Sequence, residues 1–290
     1  MPCVFVFGLG YSALAVARLL KGRVEIAGAT RDPARADALR AEGIAASVFD
    51  GTSHSNEVGE ALRRATHVLV SVPPVGEMDT VLAVHGDDLG KSPHLRWIGY
   101  LSSVAVYGNY GGAWVSERTT PHPKTERAVR RRKVELEWQR FGVQHEVPVA
   151  IFRIAGIYGP GRNAFVALSE GRAHRIIKPG QVFNRVHVDD IVAAVSAGLL
   201  SNMGGVVNLA DDGPSPPQEV VTFAAELMGV APPPEVTFEE AELSPMARSF
   251  YVDNKRVDNA AMKTLTGGEL KFPTYREGLA ALWTSGQWQG

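Results

Sequence analysis

Val4-Phe5-Val6-Phe7-Gly8-Leu9-Gly10-Tyr11-Ser12-Ala13 decides the fold of this chain. A β-branched and aromatic run enters two glycines spaced by one residue, and a largely apolar stretch then continues to Leu20. Residues 4–7 read as a strand and 13–20 as a helix, so the glycines occupy a strand-to-helix turn. The first glycine permits the tight turn, the second lets backbone approach an anion closely, and the small Ala13 lets helix and strand pack. Unpaired N–H groups and the positive end of the helix dipole face whatever lies before that turn.

Outward from the turn, strand and helix patterns alternate to about residue 155. Residues 24–30 form the next expected strand; Asp32-Pro33 supplies an N-cap and a proline at the first helical position, and Gly43 stops that helix. Further strands are expected at 46–49, 68–72, 97–101 and Val149–Ile154, with helices near 57–65, 79–91 and 126–140. Nearly continuous apolar strands between helices specify an α/β fold, a Rossmann-type doubly wound parallel sheet covered on both faces. After Gly159 the alternation loosens, and prolines cluster at Pro214, Pro216 and Pro217 and at 232–234. The expected division is a dinucleotide-binding domain over 1–155 and a smaller C-terminal substrate lobe over 156–290. Segments near 188–210, notably 206–209, return to the sheet.

Composition bounds the partners. The 290 residues are 45% hydrophobic and 21% charged with a formal net charge of −1, which suits a globular chain with ample core. Near-neutrality gives no general drive toward nucleic acid or anionic lipid. Cys3 is the one cysteine, so no intrachain disulfide forms and a cytoplasmic location is expected. The apolar start lacks a basic lead and is broken by Gly8, Gly10 and Arg18, unlike a secretion signal. No uninterrupted apolar run reaches the roughly 18 residues of a membrane span.

The glycine turn, with a strand before it, a helix after it and a second strand at the expected distance, predicts a dinucleotide site formed by Gly8, Gly10, Tyr11 and Ser12. An acid at the end of the second strand would bond the ribose hydroxyls of NAD and repel a 2′-phosphate. This chain instead reads Gly28-Ala29-Thr30-Arg31. Arg31 can make paired, charge-assisted bonds to a 2′-phosphate, while the adjacent Asp32 is assigned to the cap. NADP(H) is therefore expected over NAD(H), although an exposed arginine is also a common surface feature.

Several segments taken together resemble the short-chain dehydrogenase/reductase superfamily, in its extended or atypical, NAD-dependent epimerase/dehydratase-like branch. They are the turn itself, Leu101-Ser102-Ser103-Val104-Ala105-Val106-Tyr107-Gly108, Lys133 with Glu137, and Phe152-Arg153-Ile154-Ala155-Gly156-Ile157-Tyr158-Gly159-Pro160-Gly161. Further on come Arg185-Val186-His187-Val188-Asp189-Asp190-Ile191, Val207-Asn208-Leu209-Ala210 and Pro273-Thr274-Tyr275-Arg276-Glu277-Gly278, so the matches span nearly the whole chain. The resemblance implies that Ser103 bonds the reacting oxygen and that Lys133 holds the nicotinamide ribose. It further implies that Ser71, Val72 and Pro73 line the adenosine half and that Asp50 meets the adenine. Ordinary strand-ending turn chemistry accounts equally well for these last four residues.

The resemblance breaks four residues before Lys133, where Val129 stands in place of the usual tyrosine. Carbonyl reduction needs hydride from one side and a proton from a positioned acid on the other, and such an acid contributes about 10²–10⁴-fold in rate. Tyr107 and Tyr158 are the nearest replacements by sequence, and both also suit the aromatic wall of a pocket. The Thr-Asp-Glu triplet of the dehydratases is Ser103-Val104-Ala105 here, which argues against dehydration.

The run Arg127, Arg130, Arg131, Arg132 and Lys133 is interleaved with Glu126, Glu135 and Glu137, as on a solvated helix face. His187 has no partner at metal spacing, and no metal site is expected. Either Asp189 or Asp190 is expected to cap a helix over 191–200. Arg185 is the candidate anion clamp for substrate, and Tyr158 is the other expected substrate-binding residue.

Two functions follow. One is an NADP(H)-dependent oxidoreductase or epimerase acting on a small carbonyl or sugar-like molecule, with Ser103, Lys133 and Tyr107 at the chemistry. The other, motivated by Val129, is a non-catalytic NADP(H)-binding sensor. The expected partners are a small-molecule substrate and a second copy of the chain, with neither nucleic acid nor membrane.

Overall fold

The structure is a computed structural model that describes residues 2–76 and 78–290. The chain forms two compact units, the first from Met1–Ser103, Glu126–Arg153 and Val192–Val207, the second from Val104–Thr125, Ile154–Ile191 and Asn208–Gly290.

The first unit is built on a seven-stranded parallel sheet. Its strands are β1 (Cys3–Phe7), β2 (Glu25–Thr30), β3 (Ala45–Val48), β4 (His67–Val70), β5 (Trp97–Ser103), β6 (Val149–Ile154) and β7 (Gly205–Leu209). They are ordered β7-β6-β5-β4-β1-β2-β3. All residues of β1 and β4 are buried, which is why their sequences are continuously apolar rather than alternating. Phe7 pairs with Ala29 of β2 on one side and Val70 of β4 on the other. Strand order reverses between β1 and β4, and at such a switch point the carboxyl ends of the strands leave a crevice.

Six helices complete the alternation: α1 (Tyr11–Leu20), α2 (Pro33–Ala41), α3 (Asn56–Arg64), α4 (Thr80–Gly90), α5 (Glu126–His145) and α6 (Val188–Leu200). Asp32 caps α2 as its position predicts, accepting from the amides of Ala34 and Arg35 with Pro33 following. Ser55 and Asp79 cap α3 and α4 in the same way. The core packs Phe5, Phe7, Val68, Val70, Ile98 and Ile151 of the sheet with Val134 and Trp138 of α5. Each such side chain contributes about 1.5–3 kcal/mol on burial.

Among the expected boundaries that move are the ends of β4 and α5. β4 ends at Val70 rather than at 72, releasing Ser71-Val72-Pro73 as irregular chain. α5 runs to His145 instead of stopping near 140, and Glu146 turns the chain with φ 54°. Gly142, which resembles a stop signal, is used for close packing: a Cβ there would lie 2.5 Å from Val149 Cγ2.

The second unit contains three short parallel pairs: Gly156–Tyr158 with Arg185–His187, Arg175–Ile177 with Glu235–Thr237, and Trp114–Val115 with Arg256–Val257. Partners lie far apart in sequence, so no local alternation announces them. Helices Ala164–Ser169, Pro217–Met228 and Tyr275–Thr284 enclose a core of Tyr158, Phe165, Ala224 and Leu279. The expected cap at Asp189 or Asp190 is corrected here, because α6 already begins at Val188. The Asp190 carboxylate accepts from the amides of Lys271 and Phe272, and Asp189 pairs with the Lys271 ammonium. Those partners are some 80 residues away, beyond local reading. No described helix is long and apolar enough to cross a membrane.

Candidate functional site

The turn after β1 has the conformation its glycines predict. Gly8 takes φ +82°, and its amide donates to Ala29 O at 2.9 Å, fastening the turn to β2. A Cβ on Gly8 would lie 3.2 Å from Val72 N and Cγ2, so this glycine also admits the segment after β4. Gly28 does the same from β2: a Cβ there would meet Val6 O at 2.7 Å and Leu9 Cδ1 at 2.9 Å.

Gly10 differs from Gly8. Its φ is −83°, an ordinary value, and nothing lies within 4 Å of where its Cβ would stand. It therefore leaves open space directly before α1, and it offers no side chain to cap that helix. In the first turn the buried Ser12 hydroxyl has no hydrogen-bond partner among the described residues. Open space, uncapped helix start and orphaned hydroxyl together fit a phosphate-bearing group held by backbone amides and the helix dipole.

Other predicted residues sit at neighbouring strand ends. Arg31 follows β2 and is exposed, while Asp32 has committed its carboxylate to α2. Ser71 and Val72 are half-buried beyond β4, and Pro73 is exposed. Asp50, exposed beyond β3, accepts from the amide and hydroxyl of Thr52, both at 2.8 Å. The Thr52 amide is the main reason that its carboxyl lies below its usual range. The carboxyl ends of β1, β2 and β4 thus gather Gly8, Gly10, Ser12, Arg31, Ser71 and Val72.

At the end of β5, Ser103 is half-buried and Ser102 donates to Glu135 Oε1 at 2.6 Å. Glu135 is fully buried and receives a two-point bond from Arg153, at 3.0 and 2.8 Å, and another from Arg132. This face of α5 meets the sheet. On it Arg131 is half-buried, and its Nη1 donates to Leu101 O at 3.0 Å and Tyr100 Oη at 3.3 Å. Val129 and Lys133 lie on the opposite face and are exposed.

In the second unit Tyr107 is fully buried and its hydroxyl donates to Asn208 Oδ1 at 2.7 Å. Tyr158 is buried against His187 and donates to Thr274 O at 3.2 Å; burial holds its phenol well above the usual range. Arg185 donates to Ser215 Oγ at 2.8 Å and Phe183 O at 3.1 Å. Asp211 escaped the sequence reading, since Asp211-Asp212-Gly213 looks like a plain turn. It is 2% exposed, one of its oxygens has no hydrogen-bond partner among the described residues, and burial pushes its carboxyl up to about 7. Burial likewise pulls the His187 imidazole well below its ordinary value, consistent with its unpartnered Nε2.

Folding also assembles a group the sequence did not announce. His54, His85 and Asp88 place ligand-type atoms within 4.8 Å of one another. Asp88 Oδ2 stands 2.9 Å from His54 Nε2 and 2.7 Å from His85 Nδ1, so the carboxylate clasps both rings.

No protein-family profile matches the sequence. A conserved protein of unknown function from Silicibacter pomeroyi is 43% identical, with a TM-score of 0.90 over 99% of this chain and all of that one. UDP-glucuronic acid 4-epimerase from Bacillus cereus, solved with NAD, has a TM-score of 0.77 at 15% identity, over 97% of this chain and 96% of its own. Among curated relatives, the 3-diazoavenalumate denitrifying reductase of a Streptomyces species is 26% identical over 156 residues. That match covers 49% of this chain and half the length of the reductase. Protein YeeZ of Escherichia coli K12 is 28% identical over 253 residues, 80% of this chain and 86% of YeeZ.

Proposed function

Because the chain is related along its whole length to the uncharacterised Silicibacter pomeroyi protein and has the fold of the epimerase/dehydratase-type extended short-chain dehydrogenases, we propose that it is an NADP(H)-dependent oxidoreductase of that kind. The observation that carries this reading is the glycine turn. Gly8 is left-handed where the turn demands it, and Gly10 keeps open the space before an uncapped helix. The match to a reductase and the NAD bound in the epimerase structure support the same chemistry.

A bound nicotinamide cofactor would supply or accept the hydride. The first-turn amides of α1 and the Ser12 hydroxyl hold its pyrophosphate. Arg31 takes the 2′-phosphate through charge-assisted bonds, and no acid at the end of β2 opposes it. Ser71, Val72 and Pro73 wall the adenosine side, with Asp50 beyond them. Ser103, at the end of β5, polarises the oxygen of a small carbonyl or sugar-like substrate. Family position points to Lys133 for the nicotinamide ribose, but Lys133 lies on the exposed face of α5 and is not assigned that role. The hydroxyls of Tyr107 and Tyr158 already donate to Asn208 and Thr274, so neither is assigned as the proton donor.

The partner we assign to the outer face of α5 is a second copy of the chain. Val129, Leu136 and Val143 recur there at seven-residue spacing and are exposed by 47%, 37% and 83%.

Parallel titrations with NADPH and NADH, followed by nicotinamide fluorescence, test the reading. NADPH should bind more tightly, and Arg31→Ala should erase roughly tenfold or more of that preference. Binding of neither nucleotide would remove the proposal, and equal affinity would remove its NADP(H) part.

A further inference from the structure

We infer that Arg131, not Lys133, is the cation of α5 that holds the nicotinamide half of the dinucleotide. The inference rests on the cofactor reading above and corrects its cation by geometry.

A helix turns about 100° per residue, so residues 131 and 133 project some 200° apart. The buried residues Ala128, Glu135, Trp138 and Gly142 share the face of Arg131. Lys133 shares its face with Val129, Leu136, Arg140 and Val143, all exposed. The sheet-facing side of α5 therefore presents a guanidinium to the end of β5.

Arg131 is also anchored there. Its Nη1 donates to Leu101 O at 3.0 Å and Tyr100 Oη at 3.3 Å. Leu101 lies two residues before Ser103, in the strand next to β4 and on the side of the switch point away from Arg31. A dinucleotide with its pyrophosphate at Gly10 and its 2′-phosphate at Arg31 runs across the carboxyl ends of β4 and β5 with its other half. Arg131 is the α5 cation bonded to β5 on that side.

The register has a second anchor. Glu135, one turn beyond Arg131 on the same face, is bonded to Arg153 of β6 and Ser102 of β5. A shift of two residues along α5 would pull this buried carboxylate from both partners. Four residues before Arg131 stands Arg127, so the correction restores no phenol. A guanidinium offers only N–H donors, so Arg131 binds and orients the ribose hydroxyls through their oxygens.

The test compares NADPH with 2′,5′-ADP, which carries the adenosine half alone, on the full chain and its Arg131→Met, Arg131→Lys and Lys133→Met variants. Arg131→Met should weaken NADPH about tenfold to a hundredfold and lose nicotinamide fluorescence enhancement, with 2′,5′-ADP affinity unchanged. Arg131→Lys should recover most of the NADPH affinity, and Lys133→Met should change neither ligand. Loss confined to Lys133→Met would overturn the assignment. So would equal loss of both ligands in Arg131→Met and Arg131→Lys, which marks a residue that only secures β5. If the unmodified protein binds 2′,5′-ADP but gains nothing from the nicotinamide half, this inference fails while the adenosine site stands. If it binds neither, the cofactor reading itself is at fault.

Discussion

Gly8 and Gly10 look interchangeable in the sequence, yet they answer different physical demands. Gly8 needs its left-handed φ and the room taken by Val72, so Gly8→Ala combines backbone strain of about 1–2 kcal/mol with a steric contact. Gly10 has an ordinary φ and an empty space before it, so Gly10→Ala should cost no more than about 1 kcal/mol of stability. Its methyl group would nevertheless occupy the proposed pyrophosphate position. Urea unfolding should thus show a larger loss for Gly8→Ala, and NADPH titration should show at least a roughly tenfold weakening for Gly10→Ala. Gly10→Ala binding at full affinity would contradict the cradle. The turn was legible because its strand, glycines and helix follow one another within a few residues. The role of Asp32 was legible for the same reason, since its cap partners lie two and three residues ahead.

At the scale of elements, α5 shows where local reading runs out. Its existence follows from twenty residues of helix-compatible sequence, but the mixture of arginine and glutamate hides which face is buried. Glu135 would be placed in solvent by composition, yet it is fully buried because Arg153 and Ser102 arrive from β6 and β5. An ion pair of this kind is held by partners distant in sequence, and removing one partner commonly costs about 3–5 kcal/mol. The opposite face carries apolar side chains that the chain leaves exposed. Val143, 83% exposed, is the centre of the proposed contact between copies. Sedimentation velocity should find a dimer for the natural protein and a shift toward monomer for Val143→Glu, because a charge facing its own symmetry mate cannot be buried. A natural protein that sediments as a monomer at all concentrations would dismiss that face as an interface.

For the whole molecule, pH reports on buried acids that no motif marks. Asp211, pushed up to about 7 mainly by burial, keeps its proton in the native state where an unfolded aspartate, near 3.9, has lost it. Its contribution to stability is therefore complete below pH ~4 and is lost as pH rises through about 7. His187 acts in the opposite sense below its ordinary range, because the native state resists its protonation while the unfolded chain does not. Thermal melts between pH 6 and 8.5 should show the natural protein losing roughly 2–6 °C relative to Asp211→Asn, whose side chain cannot titrate. Parallel curves would show that Asp211 is already ionised at pH 6. Chain path matters at this scale as well. Residues 104–125 belong to the second unit, whereas Val192–Val207 belongs to the first, so each unit is assembled from three separate segments.

The parallel α/β sheet, the glycine turn and the arginine that stands in place of an acid at the end of β2 were all legible in the residues themselves. Hydrophobic periodicity, turn conformation and capping act over a few residues, and neighbouring side chains suffice to specify them. It took the folded chain to show which face of α5 meets β5, that Asp190 serves residues 271 and 272, and that Asp211 is buried. Burial and ion pairing are properties of what comes to lie against a residue, and those neighbours are brought there from tens of residues away.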